Sequence, residues 1–260
     1  MLTLLSPAKT LNFDFEADGL PVTPPCFESD IAELLTTCRG QSVGQLRKLM
    51  GLSPALAELN HERFQSMSLP FTKSNSKPAL LAFGGDVYRG LDAASLNKRD
   101  LKWSQRRLRI LSGFYGMLRP LDLIQPYRLE MGTRISNTRG KNLYEFWGAR
   151  LTDALNAEHA ERPVKAVLNL ASNEYFKSVK KTDLTAPLVT ALFKETREGQ
   201  LRTISFSAKR ARGLMARFIV KHRVDRPDGM KEFNDEGYSY RPDLSDDATM
   251  LFVRDQHWAA

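Results

Sequence analysis

Lys9, Asp86, Arg128, Glu130, Lys177 and Lys209 are the side chains of this 260-residue sequence best placed to do chemistry together. Each lies in a run of small, polar and aromatic residues. The runs are SPAKT (Ser6–Thr10), GGDVYRG (Gly84–Gly90), LSGFYGMLRPLDLIQPYRLEMG (Leu111–Gly132), ASNEYFKS (Ala171–Ser178) and SAKRARG (Ser207–Gly213). Lysine and arginine clamp anions, arginine through a planar fork of donors. A carboxylate such as Glu130 or Asp86 can take or give a proton at the bound group. The set describes a cleft for a small anionic or nucleotide-like substrate. SPAKT lacks the glycines and the Lys-Ser/Thr pair of a Walker loop, and no serine–histidine–aspartate spacing is present. His61, His159, His222 and His257 are scattered, with no HExxH and no cysteine pair. Asp86 with Glu174 is the one oxygen pair that could hold a cation. No metal and no cofactor are expected.

A second set points to nucleic acid. LRKLMGLSPALAELNHERF (Leu46–Phe64) reads as two short helices around a Gly51–Ser53 turn. A helix-hairpin-helix offers backbone N–H groups at the start of its second helix to a phosphate. Here Ser53 stands where the generic motif has its second glycine, but it is also a good N-cap, and Pro54 suits the first helical position. Leu46, Leu49, Leu52, Leu56 and Leu59 are expected to pack the hairpin. Arg47, Lys48 and Arg63 could add phosphate contacts, with Gly51 and Ser53 at the turn. Arg210, Arg212, Arg217 and Lys221 fall on the basic side of an amphipathic helix, opposite Ala211, Leu214, Met215, Phe218, Ile219 and His222. Gly213 and Ala216 lie within that basic side. Glycine costs roughly 1 kcal/mol in a helix interior, so it implies close approach of a ligand or a backbone.

Elements must position these groups. Short apolar or alternating runs predict strands at Leu2–Leu5, Ala79–Phe83, Leu108–Leu111, Val164–Leu170, Leu188–Phe193, Leu201–Phe206 and Met250–Val253. Helices are predicted at Asp30–Thr37, Val43–Met50, Pro54–Asn60, Arg99–Arg107, Leu143–His159 and Ala208–Arg223, the last capped by Ser207. Strands and helices mix without strict alternation, which gives an α+β or mixed α/β class. One domain over residues 1–260 is expected, with a central mixed sheet, a basic cleft and the hairpin-like element at 43–64. If the strands run parallel, five chemistry-bearing loops follow their carboxyl ends and converge on one cleft.

Composition narrows the partners. The formal net charge is +8, which favours an anionic partner. It is segregated, with no Lys or Arg between Thr10 and Thr37 and a basic block from Lys98 to Arg109. Cys26 and Cys38 make no disulfide framework. The amino-terminal run is too short and unflanked for a signal peptide, and no stretch approaches the roughly 20 apolar residues of a membrane span. A cytoplasmic protein with no membrane partner is expected. Nothing in the chain sets the oligomeric state, and a monomer is the working expectation.

LLSPAKTL, AFGGDVYRGL, LSGFYGMLRPLDLIQPYRLEMGTR, YEFWG, NLASNEYFKSV, ISFSAKRARGLMARFIV and FNDEGY together resemble the YaaA family of peroxide-stress proteins, the UPF0246 group. The resemblance runs from Met1 to about Val253. It implies a cytosolic role in the response to hydrogen peroxide and oxidative stress, with restraint of free intracellular iron and of iron-driven damage. It also implies an unusual α/β fold with a basic cleft, a helix-hairpin-helix-like element and non-specific DNA binding. It implies no assigned reaction.

Overall fold

Strand β1, Leu2–Leu5, is buried along its whole length, and so are β3, Leu108–Ser112, and β6, Val167–Asn169. Near-continuous apolar runs of this kind belong to parallel strands covered on both faces. In the computed structural model, which describes residues 1–15, 17 and 19–255, they form the middle of a mixed sheet. Glu16, Asp18 and His257 lie outside the described residues. The sheet order is β4-β3-β1-β6-β7-β10-β9, with β8 on β7. The remaining strands are β2 (Lys77–Pro78), β4 (Gly116–Leu118), β5 (Leu123–Ile124), β7 (Leu188–Arg197), β8 (Gln200–Arg202), β9 (Ser239–Tyr240) and β10 (Thr249–Asp255). Strands β3, β1, β6, β7 and β10 are mutually parallel; β4, β8 and β9 join antiparallel. The fold is mixed α/β, as the sequence predicts.

The helices are α1 (Glu28–Arg39), α2 (Val43–Met50), α3 (Pro54–Ser66), α4 (Ala79–Ala82), α5 (Asp86–Leu91), α6 (Lys98–Ser104), α7 (Leu143–Trp147), α8 (Arg150–Glu161), α9 (Asn173–Phe176) and α10 (Ser205–His222). Three expectations change. Ala79–Phe83 is a helical turn, α4, and not a strand; a short buried apolar run has no period that separates the two. The predicted helix Leu143–His159 is broken at Gly148 into α7 and α8. The predicted strand Leu201–Phe206 stops at Arg202, and α10 starts at Ser205. Ser207 therefore lies buried inside α10 and is not its cap.

Helix α10 packs across α5 at two glycines. A Cβ at Gly213 would stand 1.8 Å from the Val87 carbonyl oxygen, and one at Gly90 2.3 Å from that of Arg210. The close approach expected at Gly213 is thus of a backbone. It brings the amino end of α5, with Asp86, and the first turns of α10, with Lys209 and Arg212, to one place.

Candidate functional site

The connections from β1 lead to β3 on one side, while β6 flanks it on the other. This is a switch point of the sheet, where a crevice opens beyond the carboxyl ends of the strands. A cleft of about 290 Å³ occupies it. Its walls come from Ser6–Thr10 after β1, Gly84–Val87 after α4, Ser172, Glu174 and Tyr175 after β6, Glu130, and Lys209 and Arg212 of α10. The loops are latched together at the base. The Ser172 N–H donates to Ser6 Oγ at 2.8 Å, and the Tyr88 hydroxyl donates to the Ser6 carbonyl at 2.9 Å.

Four of the six predicted chemical residues line this cleft: Lys9, Asp86, Glu130 and Lys209. Arg128 stands behind Glu130, in a small adjoining crevice with Lys9 and Tyr175. Lys177 lies outside, exposed, with its ammonium 5.1 Å from the Tyr144 ring centroid. The segment directly after β3 supplies no wall: Ser112, Phe114 and Tyr115 are buried beneath, with Ser112 Oγ 2.7 Å from the Tyr127 hydroxyl. Its place is taken by Glu130 further along the chain. The loops therefore converge, but α4 and not a strand delivers Asp86.

Charge pairing divides the site. Glu130 Oε1 accepts from Lys9 Nζ and from Arg128 Nε, each at 3.1 Å. Asp86 is paired with Arg89. Glu174 Oε1 accepts from the Gly132 N–H at 3.0 Å. Arg212 differs. It is partly buried, burial lowers its affinity for a proton, and it has no hydrogen-bond or ion-pair partner among the described residues. An unpaired charge removed from water is costly. Arg212 faces the cleft beside Lys209, which is exposed and likewise unpartnered among the described residues. Two such cations side by side can receive an anion.

The other residues assigned to nucleic acid separate by the same criterion. Arg210 binds Glu236 at 2.5 Å. Arg217 donates to the carbonyls of Leu91 and Asp92 and to Ser95 Oγ, closing the carboxyl end of α5. Lys221 binds Asp100 at 3.1 Å. The basic side of α10 is therefore largely spent within the fold. His222, expected on the apolar side, is exposed with its ring centroid 4.4 Å from that of Phe218.

Helices α2 and α3 pack as the predicted hairpin. Ser42 and Gln45 form a capping box on α2, Gly51 takes the left-handed conformation (φ 61°) that ends it, and Ser53 Oγ accepts from the Leu56 N–H. Ser53 thus occupies an amide that a phosphate would use. Leu46 and Leu52 are buried, but Leu56 and Leu59 are exposed; Ala57, Asn60 and Phe64 carry the α3 packing instead. Arg47 and Lys48 have no ion partner among the described residues, nor has Arg63, which burial and the neighbouring Arg128 make less basic. Between α2 and the segment 132–136 lies an open groove of about 730 Å³, lined by Gln41, Gln45, Lys48, Gly132, Arg134 and Ser136. Arg134 has no partner among the described residues. Sequence reasoning missed it, although it sits in the GTR end of a motif already singled out.

A further cavity, of about 370 Å³, lies at the opposite end of the sheet beside Leu2 and Val164. Its inner arginines are committed, Arg109 to Glu158 and Arg119 to Asp122. Burial and Asp122 push the Cys26 thiol up, away from the reactive thiolate. Among the described residues no three of His, Cys, Asp and Glu gather in a metal-binding group, and no helix is long and apolar enough to cross a membrane.

Comparison with known proteins gives the same family as the motifs. The family model described as peroxide stress protein YaaA matches residues 1–244. A UPF0246 protein of Hahella chejuensis is 49% identical over 98% of this chain and 100% of its own length. One of Cellvibrio japonicus is 48% identical over 98% of this chain and 99% of its own. One of Burkholderia mallei is 51% identical over 98% of each. Matches over nearly the whole of both chains place the sequence without ambiguity: it belongs to the YaaA family of peroxide stress proteins.

Proposed function

We propose that this protein serves peroxide defence in the cytoplasm by binding a small anionic, nucleotide-like ligand in the switch-point cleft. The observation that carries the reading is Arg212, a partly buried guanidinium facing the cleft with no partner among the described residues. Folding leaves it short of an anion, and Lys209 beside it adds a second donor. Glu130, held by Lys9 and Arg128, and Glu174 line the same cleft, and in this reading they act on, or orient, the bound group. Restraint of free iron, which the family resemblance implies, supplies the physiological readout.

The test pairs binding with survival. Adenosine 5′-monophosphate serves as the probe in calorimetry, and the Arg212→Ala variant should bind it at least about tenfold more weakly. Cells carrying that variant should lose peroxide resistance and show more chelatable iron after peroxide. Unchanged probe binding together with full protection would sink the reading.

A second reading is that the hairpin holds DNA through phosphates, without sequence preference. It is favoured by Arg47, Lys48 and Arg134, none with an ion partner among the described residues, two of them on an open groove. Reversal of Arg47 and Lys48 to Glu should weaken duplex binding several-fold; binding that ignores both substitutions and salt would remove it.

A further inference from the structure

The cavity at the amino ends of β1 and β3 shares no lining residue with the switch-point cleft or the hairpin groove. Its volume of about 370 Å³ falls within the range of small-ligand sites, roughly 300–1,000 Å³. Distant segments meet at its floor and are bonded to one another. Arg109, only 6% exposed, holds Glu158 through Nε at 2.8 Å and Nη2 at 2.6 Å. Gln105 donates to Thr23 Oγ1 at 2.9 Å and accepts from the Leu121 N–H at 2.7 Å.

The rim is not closed in this way. Arg106 stands just beyond the carboxyl end of α6, and Arg162 caps that of α8. Both are exposed on the cavity wall, and neither guanidinium has a partner among the described residues. Cations at such positions can serve the helix dipole alone. Here that end of α6 is already satisfied. The carbonyls of Leu101, Trp103 and Ser104 accept from the N–H groups of Gln105, Arg106 and Arg107, and the Gln105 carbonyl accepts from Arg109 Nη1 at 3.0 Å. His159 adds a donor. Its Nδ1 accepts from the Val164 N–H at 3.1 Å, so the neutral ring carries its proton on Nε2. Glu161 is a wall carboxylate with no partner among the described residues.

We infer that this cavity binds a phosphate monoester of a small polyol. Two guanidinium groups match the phosphate's charge of about −1.5 to −2 at pH 7, and His159 Nε2–H serves a further oxygen. Glu161 repels a bare anion placed beside it. It becomes favourable when the ligand brings hydroxyl donors, so it selects a polyol ester over inorganic phosphate. Leu2 and Val164 give the carbon chain an apolar wall.

The full chain carries its own reporter. Cys26 is exposed on this wall while Cys38 is buried, so maleimide alkylation reads the cavity directly. Glucose 6-phosphate and inorganic phosphate are the probes. Glucose 6-phosphate should slow Cys26 alkylation, and in calorimetry it should bind at least about fivefold more tightly than inorganic phosphate. The Arg106→Ala, Arg162→Ala double variant should bind the ester at least about tenfold more weakly, and Lys at both positions should recover part of the loss. Glu161→Gln should strengthen inorganic phosphate and narrow the preference. Arg212→Ala should change none of these values. Unchanged alkylation in the presence of the ester would show that it does not enter the cavity and would overturn the inference. So would a double Ala variant that loses thermal stability but keeps its affinity, since the two arginines would then serve the helix ends alone. Equal affinity for the two probes, untouched by Glu161→Gln, would overturn the polyol assignment. Loss of ester binding in Arg212→Ala would move the ligand to the switch-point cleft and overturn the site.

Discussion

Side chains of one type on one helix do opposite things in this protein. Arg210, Arg217 and Lys221 of α10 are bound to carboxylates or carbonyls of the fold, whereas Arg212, between them in sequence, has no partner among the described residues and lines the cleft. The sequence shows four cations on a basic helix face. It does not show which carboxylate will pack opposite each one, because Glu236, Asp100 and the α5 carbonyls arrive from distant parts of the chain. That difference is measurable. Replacing Arg212 by Met removes a poorly solvated charge and keeps most of the side chain's bulk. Stability should rise by roughly 1 kcal/mol, or about 2–4 °C in Tm, while anion binding is lost. Calorimetric unfolding beside probe titration checks it; a fall in Tm would mean that Arg212 serves the fold.

Glu195 of β7 is the contrasting case, buried and fully paired. Burial opposes its charge, but hydrogen bonds from Ser207, Arg254 and Arg197 outweigh burial and hold its carboxyl down at about 2. The folded pKa lies below the unfolded value of about 4.3. Its contribution is therefore complete above that unfolded value and is lost as pH falls from there through about 2. Glu195→Gln should lower stability at pH 7 and flatten this part of the acid limb. Urea midpoints measured between pH 7 and pH 2.5 decide it; parallel curves for the two proteins would show that Glu195 does not supply that limb.

At the scale of elements, what was legible is what local physics determines. The bounds of α2 agree because Ser42, Gln45 and Gly51 carry both caps within the segment. The central strands agree in place because they are mostly apolar and buried along their length, although the predicted Val164–Leu170 narrows to Val167–Asn169. The α4 turn was not legible, since a run of four apolar residues, three of them buried, fits strand and helix alike, and the start of α10 was misplaced because Ser205 and Ser207 are both plausible beginnings. The cleft was legible in its loops, from the small and charged residues after β1 and β6, but not in its pairing. Gly213 was legible as a close approach, and the contact that explains it is the α5 backbone. Gly213→Ala should destabilise by about 1–3 kcal/mol, because a methyl group 1.8 Å from the Val87 oxygen outweighs the helix propensity gained. Gly44→Ala in α2 is the control: its Cβ would meet nothing nearer than Ser42 Oγ at 4.0 Å, and it should stabilise by roughly 0.5–1 kcal/mol. Equal effects at the two glycines would contradict the crossing geometry. The α5–α10 crossing also brings Asp86 and Arg212 to the walls of one cleft, so Gly213→Ala should weaken the probe even where folding survives.

At the scale of the whole molecule, the excess charge of +8 is a poor guide until the paired cations are set aside. Much of the basic side of α10 is neutralised locally and adds little to attraction at a distance. Among the cations with no ion partner among the described residues, Lys48 and Arg134 line the groove beside α2, and Lys209 and Arg212 line the switch-point cleft. Salt dependence counts such contacts. For a single strand, each phosphate neutralised contributes about 0.7 to the slope of log affinity against log salt. A strand making three to four phosphate contacts at the hairpin predicts a slope of roughly −2 to −3, whereas a mononucleotide on Arg212 and Lys209 should show a slope near −1. On the hairpin reading, charge reversal at Lys48 and Arg134 should flatten the strand's slope toward that of the mononucleotide. Titrations between 50 mM and 300 mM salt separate the cases. A strand slope that stays steep after both reversals would place the backbone elsewhere on the surface, and a slope near −1 in the unaltered protein would confine recognition to the cleft.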